Sequence, residues 1–378
     1  MIDRPPLMGG WFQGVENLAR LSSLSVDEYL TDPVGNLIRA NQALGVDCMI
    51  HPIVPNERGQ VRVGHVLDAD RTQYEPESLK EDAEAISDSE DDVLASLDMA
   101  QIERGYRESL TRWMQIMDDM VLIPTFWESV PNFMMYGHYG YEAYLMAIAL
   151  YPASVGRLYW RSAVEARARN AVLVRLIREL DLPPILFTGH DICNNAGPMC
   201  SMDFLREHYF PQERFALQPL VEAGIRVVRH CDGNVMPMID DCIAVGYSGF
   251  QGFQYECGVD PFSIAQRKDM NGERHLFFAG LNVTRTLPFG TVNDVREEIE
   301  YVLDYTDGGA GLFFFTSSSI GPEVPLENVR YAYKYVANRE YRQENTSPGF
   351  REWPWKTRHE ESKPNNSMQA TPNGAPDG

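Results

Sequence analysis

The sequence predicts an α/β protein folded as a closed (β/α)8 barrel. Eight short β-rich runs each precede a helical pattern, and eight such units in succession are typical of this barrel. Most of the runs are nearly continuous in apolar residues, as are strands buried on both faces of a parallel sheet. No Gly-x-Gly-x-x-Gly turn follows any run, which weakens the alternative of a doubly wound open sheet.

The predicted strands are separated by helices with ordinary start and stop signals. The strands are 6–12, 46–54, 121–127, 185–191, 225–232, 249–256, 276–283 and 311–317. Thr291, with Asp294 three residues later, has the spacing of a capping box at a helix start. Ser201 is the expected cap of a helix that runs to Glu222 and is kinked or divided at Pro211.

Two segments do not follow the strand–helix pattern. Residues 56–105, between the second and third predicted strands, contain an acidic stretch at 68–98. We expect a solvated insertion with one or two surface helices, and a lid over the barrel mouth is the alternative. The tail from about residue 361 has almost no apolar residues and is expected to be disordered. The predicted domains are therefore a barrel at 1–345 and a C-terminal extension at 346–378.

Composition excludes several classes of partner. The 378 residues include 54 acidic and 33 basic side chains, a net charge of -21, which disfavours nucleic acids and anionic membranes. No apolar run approaches the roughly 20 residues of a membrane span. The first residues lack a signal-peptide pattern, and the six cysteines have no framework spacing. We therefore expect a cytoplasmic protein with reduced thiols. The oligomeric state is not predicted, and a homodimer is one alternative.

Polar residues follow consecutive predicted strands at their C-terminal ends, where the active sites of such barrels lie. They are His190, Asp191, His230, Asp232, Glu256, Asn282 and Ser317. Because side chains alternate along a strand, His230 and Asp232 point together and Cys231 points away. The pair would serve as an acid and a base, as two metal ligands, or only as a histidine held by a carboxylate.

Asp191 and Glu256 add two carboxylates near the same end of the barrel. Each would act as a base, an acid or an acceptor for a ligand, or else as a helix cap or surface ion pair. The sequence contains no Gly-x-Ser-x-Gly elbow, Walker loop or Cys-x-x-Cys pair. This argues against an α/β-hydrolase, a P-loop NTPase and a structural zinc ribbon.

Several motifs together resemble the uroporphyrinogen decarboxylase superfamily over roughly residues 110–340. They are Gly189-His190-Asp191, His230-Cys231-Asp232-Gly233-Asn234, Gly280-Leu281-Asn282, Leu287-Pro288-Phe289-Gly290-Thr291, Gly308-Gly309, Ser317-Ser318-Ser319-Ile320 and Pro325-Leu326-Glu327-Asn328-Val329. The resemblance implies a (β/α)8 barrel, in agreement with the strand count.

The superfamily has two branches of known chemistry. Its decarboxylases act without a cofactor on a tetrapyrrole polycarboxylate and carry an arginine-rich motif after the first strand. Here that strand is followed by Gly9-Gly10-Trp11-Phe12-Gln13-Gly14, with no arginine before Arg20. The corrinoid-dependent methyltransferases hold zinc with a His-x-Cys motif and a later cysteine. Here Asp232 stands where the first of these cysteines would be.

The resemblance thus implies methyl transfer between a small methylated compound and a corrinoid protein. His230, Asp232 and Glu256 would be catalytic, and could hold a divalent metal such as zinc with harder ligands. His190, Asp191, Asn282 and Ser317 would bind the substrate. The alternatives are decarboxylation of uroporphyrinogen or a smaller carboxylate, and a non-catalytic barrel that binds a tetrapyrrole or corrinoid.

Overall fold

The computed structural model describes residues 4–57, 74–339 and 352–355. Its strands are β1 (Met8–Gly9), β2 (Cys48–Ile50), β3 (Val121–Ile123), β4 (Ile185–Gly189), β5 (Cys193–Asn194), β6 (Gly197–Pro198), β7 (Arg226–His230), β8 (Tyr247–Gln251), β9 (Leu276–Leu281) and β10 (Leu312–Thr316). Each of the eight predicted strands occurs, and each is shorter than predicted.

The closed eight-stranded barrel predicted from the sequence is wrong. The strands form a three-stranded parallel sheet in the order β1-β2-β3 and a curled five-stranded parallel sheet in the order β10-β9-β8-β7-β4. In the described part of the chain, strand pairing between the two sheets is limited to isolated bridges, which join Leu7 to Phe314, Phe12 to Ile320 and Thr125 to Phe187.

The first three strands are short for a local reason. Gly10 follows β1 with a φ of 106°, which takes the chain out of the extended conformation. Pro52 and Pro124 lie just beyond β2 and β3 and have no N–H group to continue a ladder. Strands of two or three residues pair with few neighbours, so the edges of the two sheets share single bridges rather than a continuous ladder.

A small hairpin also departs from the all-parallel prediction for residues 185–317. Strands β5 and β6 pair antiparallel directly after β4. The side chain of Asn194 accepts hydrogen bonds from the backbone N–H groups of Ala196 and Gly197, at 2.8 and 3.2 Å, and closes the turn.

The helices cover the strands and carry the predicted caps. They are α1 (Val15–Leu21), α2 (Val26–Thr31), α3 (Pro33–Ala43), α4 (Pro76–Glu84), α5 (Glu90–Ala95), α6 (Met99–Met117), α7 (Tyr136–Tyr139), α8 (Tyr141–Leu150), α9 (Pro152–Glu179), α10 (Met202–Phe204), α11 (Phe210–Glu222), α12 (Ile239–Val245), α13 (Pro261–Gln266), α14 (Thr286–Phe289), α15 (Val292–Tyr305) and α16 (Leu326–Asn338). Thr291 and Asp294 form the expected capping box, and Ser201 caps α10. A π-helical turn, Leu205–Tyr209, separates α10 from α11 beside Pro211.

The two faces of the strands bury different clusters of side chains. One cluster includes Trp11, Phe187, Val228, Phe278 and Phe315, which lie on the inner face of the sheets. The larger cluster lies between the strands and the helices. A side chain with the parity of Val228 therefore points to the inner face, and its neighbours in sequence point to the helices.

The segment after β2 contains more helix than predicted. Instead of one or two helices, α4, α5 and α6 all begin within 56–105, and α6 continues to Met117. The part at 58–73 lies outside the described residues, as does the predicted disordered tail from 361. Among the described helices, none combines the length and apolar composition that crossing a membrane requires.

Candidate active site

A cavity of about 860 Å³ opens near the carboxyl ends of β1, β3, β4 and β7. Trp11 follows β1, Trp127 lies beyond β3, and Asp191 lies just after β4. His230 is the last residue of β7. The other lining residues are Tyr74, Asn132, Met134, Gly137, His138, Gly189 and His190.

Three of the predicted residues lie close together, and two of them, Asp191 and His230, line this cavity. One ligand atom from each of Asp191, His230 and Asp232 lies within 4.8 Å of the others. His230 Nε2 is 3.4 Å from Asp191 Oδ1, and the backbone N–H of Asp232 donates to the same oxygen at 2.8 Å. The side chain of His230 is only 12% exposed, so the cluster lies in a region poorly screened by water.

Gln251 sets the tautomer of His230. Its Nε2 donates to the carbonyl oxygens of Thr316 and Ser317, at 2.8 and 3.0 Å, so its Oε1 faces His230 Nδ1. Nδ1 must then carry the proton of that hydrogen bond. In the neutral ring this leaves the lone pair on Nε2, next to Asp191, free to accept a proton or bind a metal ion.

The electrostatics of the cluster raise the pKa values of both Asp232 and His230. Burial raises the pKa of Asp232 to about 7, with Asp191 and Glu256 contributing and His230 opposing. Burial alone would lower the pKa of His230, but the carboxylates of Asp191 and Asp232 outweigh it and raise that pKa. Asp232 Oδ1 is buried and has no hydrogen-bond partner among the described residues.

The alternation along β7 confirms the predicted orientation of Cys231. A register irregularity at Val227 and Val228 precedes the site, yet His230 still faces the cavity. Cys231 is buried in the cluster on the helix side, and its Sγ is 3.4 Å from the backbone N of Ile192. The thiol is therefore on the opposite side of the strand from the cavity.

Glu256 does not join the three clustered residues, although the sequence predicted it as a third ligand. It lies on the short 3-10 turn Tyr255–Cys257 beyond β8. Its carboxylate accepts hydrogen bonds from the Asn282 side-chain amide and the Thr284 hydroxyl. Asp191, predicted as a substrate-binding residue, occupies the third position instead.

The other predicted substrate-binding residues divide into two groups. His190 lines the cavity, and burial together with the charge of Arg229 lowers its pKa to about 4, so its ring is neutral. Asn282 and Ser317 are buried outside the lining. Asn282 Oδ1 accepts from the backbone N–H groups of Thr284 and Arg285, and Ser317 Oγ accepts from that of Val283. They shape loops near the site.

Sequence reasoning did not identify the aromatic wall of the cavity. The rings of Trp11 and Trp127 lie edge-on to His230, with centroids 5.5 and 5.6 Å from the imidazole. Tyr74 contacts His138 at 5.0 Å in another part of the lining. The available signal was a tryptophan at or near the C-terminal end of two predicted strands, Trp11 in 6–12 and Trp127 in 121–127.

The chain matches no protein-family model, and no curated protein matches it. The resemblance to the uroporphyrinogen decarboxylase superfamily therefore stays a prediction from the motifs.

Proposed function

We propose that the chain is a cytoplasmic enzyme that transfers a methyl group from a small methylated compound to a corrinoid protein. The observation that carries the proposal is the cluster of Asp191, His230 and Asp232 beside an aromatic cavity. The cluster supports catalysis because its buried ionisable groups interact strongly and lie at strand ends. The motif resemblance supports the choice of methyl transfer and of a corrinoid acceptor.

The donor atoms of the cluster fit a divalent metal ion. Ligands about 2.0–2.2 Å from one ion lie at most about 4.4 Å apart, so a closure of a few tenths of an ångström suffices. The unpartnered Asp232 Oδ1 and the free Nε2 of His230 are the atoms such an ion would need. A bound ion would supply Lewis-acid chemistry, and two carboxylates with one imidazole suit zinc or a harder ion.

The residues around the cluster have separate roles in this proposal. Gln251 orients the imidazole, and the backbone N–H of Asp232 holds the Asp191 carboxylate in place. Trp11 and Trp127 cover His230 and limit the access of water to it. Without an ion, the raised pKa values of His230 and Asp232 would make these groups available to donate a proton to a departing oxygen or sulfur atom.

Charge disfavours the alternative of tetrapyrrole decarboxylation. A polycarboxylate substrate needs cations, because its charges cannot be buried unpaired. The described residues that line the cavity include no lysine and no arginine. The net charge of -21 also disfavours the binding of a polycarboxylate, because it repels negatively charged substrates.

Two measurements test the proposed function. Elemental analysis of protein purified without added metal should find about one divalent ion per chain, and the His230→Ala variant should lose it. Reduced cobalamin, followed by its absorbance, should be methylated by at least one compound in a panel of methylated alcohols, ethers, thioethers and amines. Decarboxylation of a tetrapyrrole, or a panel with no methyl donor, would contradict the proposal.

A further inference from the structure

We infer that the cavity binds a small methylated onium cation, of which a trimethylammonium compound is the simplest case. The inference rests on the proposed function for the fate of the methyl group. The binding step depends only on the walls of the cavity and the charges around it, so it can be tested by itself.

The first observation is the aromatic surface presented to the cavity. Trp127 is 37% exposed, although tryptophan is usually among the more buried residue types. Its ring lies 6.3 Å from that of Trp11 at 32°, so the two rings form one continuous wall. Tyr74 and Met134 also line the cavity. Rings of this kind bind quaternary ammonium groups through the negative potential of their faces.

The second observation is the charge of the lining. Asp191 contributes a carboxylate at the cavity, and Asp232 and Glu256 lie behind it. The described lining includes no lysine or arginine to repel a cation. An onium ion is attracted by both the rings and the carboxylates, whereas a neutral methyl donor lacks the charge on which both attractions depend.

A metal ion in the cluster does not remove this preference. Two carboxylates balance the charge of one divalent ion, so the loaded cluster is neutral rather than positive. The aromatic wall and the carboxylate of Glu256 keep their potential.

The methyl transfer balances without a proton. The bond from a methyl carbon to the quaternary nitrogen breaks, and its electron pair stays on nitrogen. The reduced corrinoid of the partner supplies the pair for the new bond to carbon. The products are a neutral tertiary amine and a methylated corrinoid. The amine loses its charge, so the aromatic wall no longer attracts it, which favours its release from the cavity.

The test compares one ligand pair on the purified full chain, with and without chelation of metal. Tryptophan fluorescence and calorimetry measure the binding of choline and of its neutral analogue, in which carbon replaces the quaternary nitrogen. The two have the same shape, so the difference reports the charge. We expect choline to bind roughly 2- to 30-fold more tightly than the neutral analogue, since cation–π contacts contribute ~0.5–2 kcal/mol. Equal affinities would overturn the inference.

Variants locate the binding to the wall. Trp127→Leu should remove most of the preference for choline, and Trp127→Phe should keep part of it, because phenylalanine retains a ring face. Trp160→Leu is the matched control, since Trp160 belongs to α9 and does not line the cavity. Loss of the preference in Trp160→Leu, or its persistence in Trp127→Leu, would contradict the assignment.

The outcomes separate this inference from the proposed function. If choline binds at the wall but no onium compound methylates reduced cobalamin, the cation site stands and the proposed methyl transfer fails. If neutral methyl ethers or thioethers are the donors and choline does not bind, methyl transfer stands and the onium inference fails.

Discussion

His230, Cys231 and Asp232 show how one residue step changes the role of a side chain. His230 lines the cavity and Asp232 belongs to the cluster beside it, whereas Cys231 packs against the helices. Replacing Asp232 with alanine should lower the rate by ~10²–10⁴-fold, the typical contribution of an acid or base. Replacing Cys231 with alanine should cost only ~1–2 kcal/mol of stability, with activity kept.

For both variants, the turnover rate is measured together with the free energy of unfolding in urea. Asp232→Asn serves as a second variant of nearly equal volume, in case the alanine variant does not fold. Lost turnover in a folded Cys231→Ala protein would show that a thiol, rather than a carboxylate, is required at this site.

The same cluster makes metal affinity depend on pH. With a pKa of about 7, Asp232 in the metal-free protein is largely protonated below neutrality, and His230 also has a raised pKa. An incoming ion must displace these protons, so affinity should fall as pH decreases, by roughly tenfold per pH unit for each proton displaced.

Calorimetry in two buffers with different ionisation enthalpies counts the protons released. We expect between one and two protons per ion near pH 6, and a lower number in Asp232→Asn. An affinity that does not change between pH 6 and pH 8 would exclude these residues as the ligands.

From the sequence alone, His230 and Asp232 could be predicted to lie on the same side of their strand, because the alternation of side chains along a buried strand is a local property. The sequence could not show whether Asp191 or Glu256 is the third residue of the cluster. Glu256 lies on a 3-10 turn, where the two-residue period no longer applies, and Asn282 and Thr284 hold its carboxylate. Such contacts depend on where separate loops meet, and no local pattern records them.

At the scale of elements, the turn after β8 fixes the position of Asp232. Gly252 has a φ of 98°, and a Cβ at this residue would lie 2.3 Å from the carbonyl oxygen of Cys231 and 3.3 Å from Asp232 Oδ1. Gly252→Ala should therefore destabilise the protein by ~1–3 kcal/mol or more and reduce metal binding.

Gly105, in the exposed part of α6, is the matched control. A Cβ there meets nothing within 4 Å, and the same substitution should stabilise the protein by ~0.5–1 kcal/mol. Urea unfolding of the two variants gives the comparison. A Gly252→Ala protein as stable as the Gly105→Ala protein would show that the turn has room to move.

For the whole molecule, the existence and parallel direction of eight of the ten strands could be predicted from their apolar runs. The closure of these strands into one barrel could not be predicted. It depends on how far each strand continues, and Gly10, Pro52 and Pro124 end the first three early. The hairpin β5–β6 was not predicted either, since its turn depends on the hydrogen bonds of a single side chain, that of Asn194.

The C-terminal extension also contacts the rest of the molecule. Trp353 is 7% exposed, its ring lies 5.9 Å from that of Tyr255, and its Nε1–H donates to Glu298 Oε2 at 2.8 Å. Glu298 in turn accepts from the backbone N–H of Asn282, whose side chain holds Glu256. A continuous set of hydrogen bonds therefore links the extension to the carboxylate beside Asp232.

This link makes the stability contribution of Trp353 depend on pH. Burial raises the pKa of Glu298 to about 7, above the roughly 4.3 of an unfolded chain, although the indole N–H lowers it. The folded state therefore binds the proton more tightly, and stability is lost as pH rises from about 4.3 to 7. Trp353→Phe removes the donor that favours the charged form and so raises the pKa of Glu298 further, which should make this loss larger and extend it to higher pH.

Urea unfolding at pH 5 and pH 8 measures the effect. Trp353→Phe should cost ~1.5–3 kcal/mol at pH 8, where the indole donates to a carboxylate, and ~0.5–1.5 kcal/mol at pH 5, where the acceptor is a neutral carboxyl. Trp353→Ala adds the lost packing against Tyr255 at both values of pH. Since packing does not titrate, an equal cost of Trp353→Phe at pH 5 and pH 8 would mean that the ring, and not its hydrogen bond to Glu298, holds the extension in place.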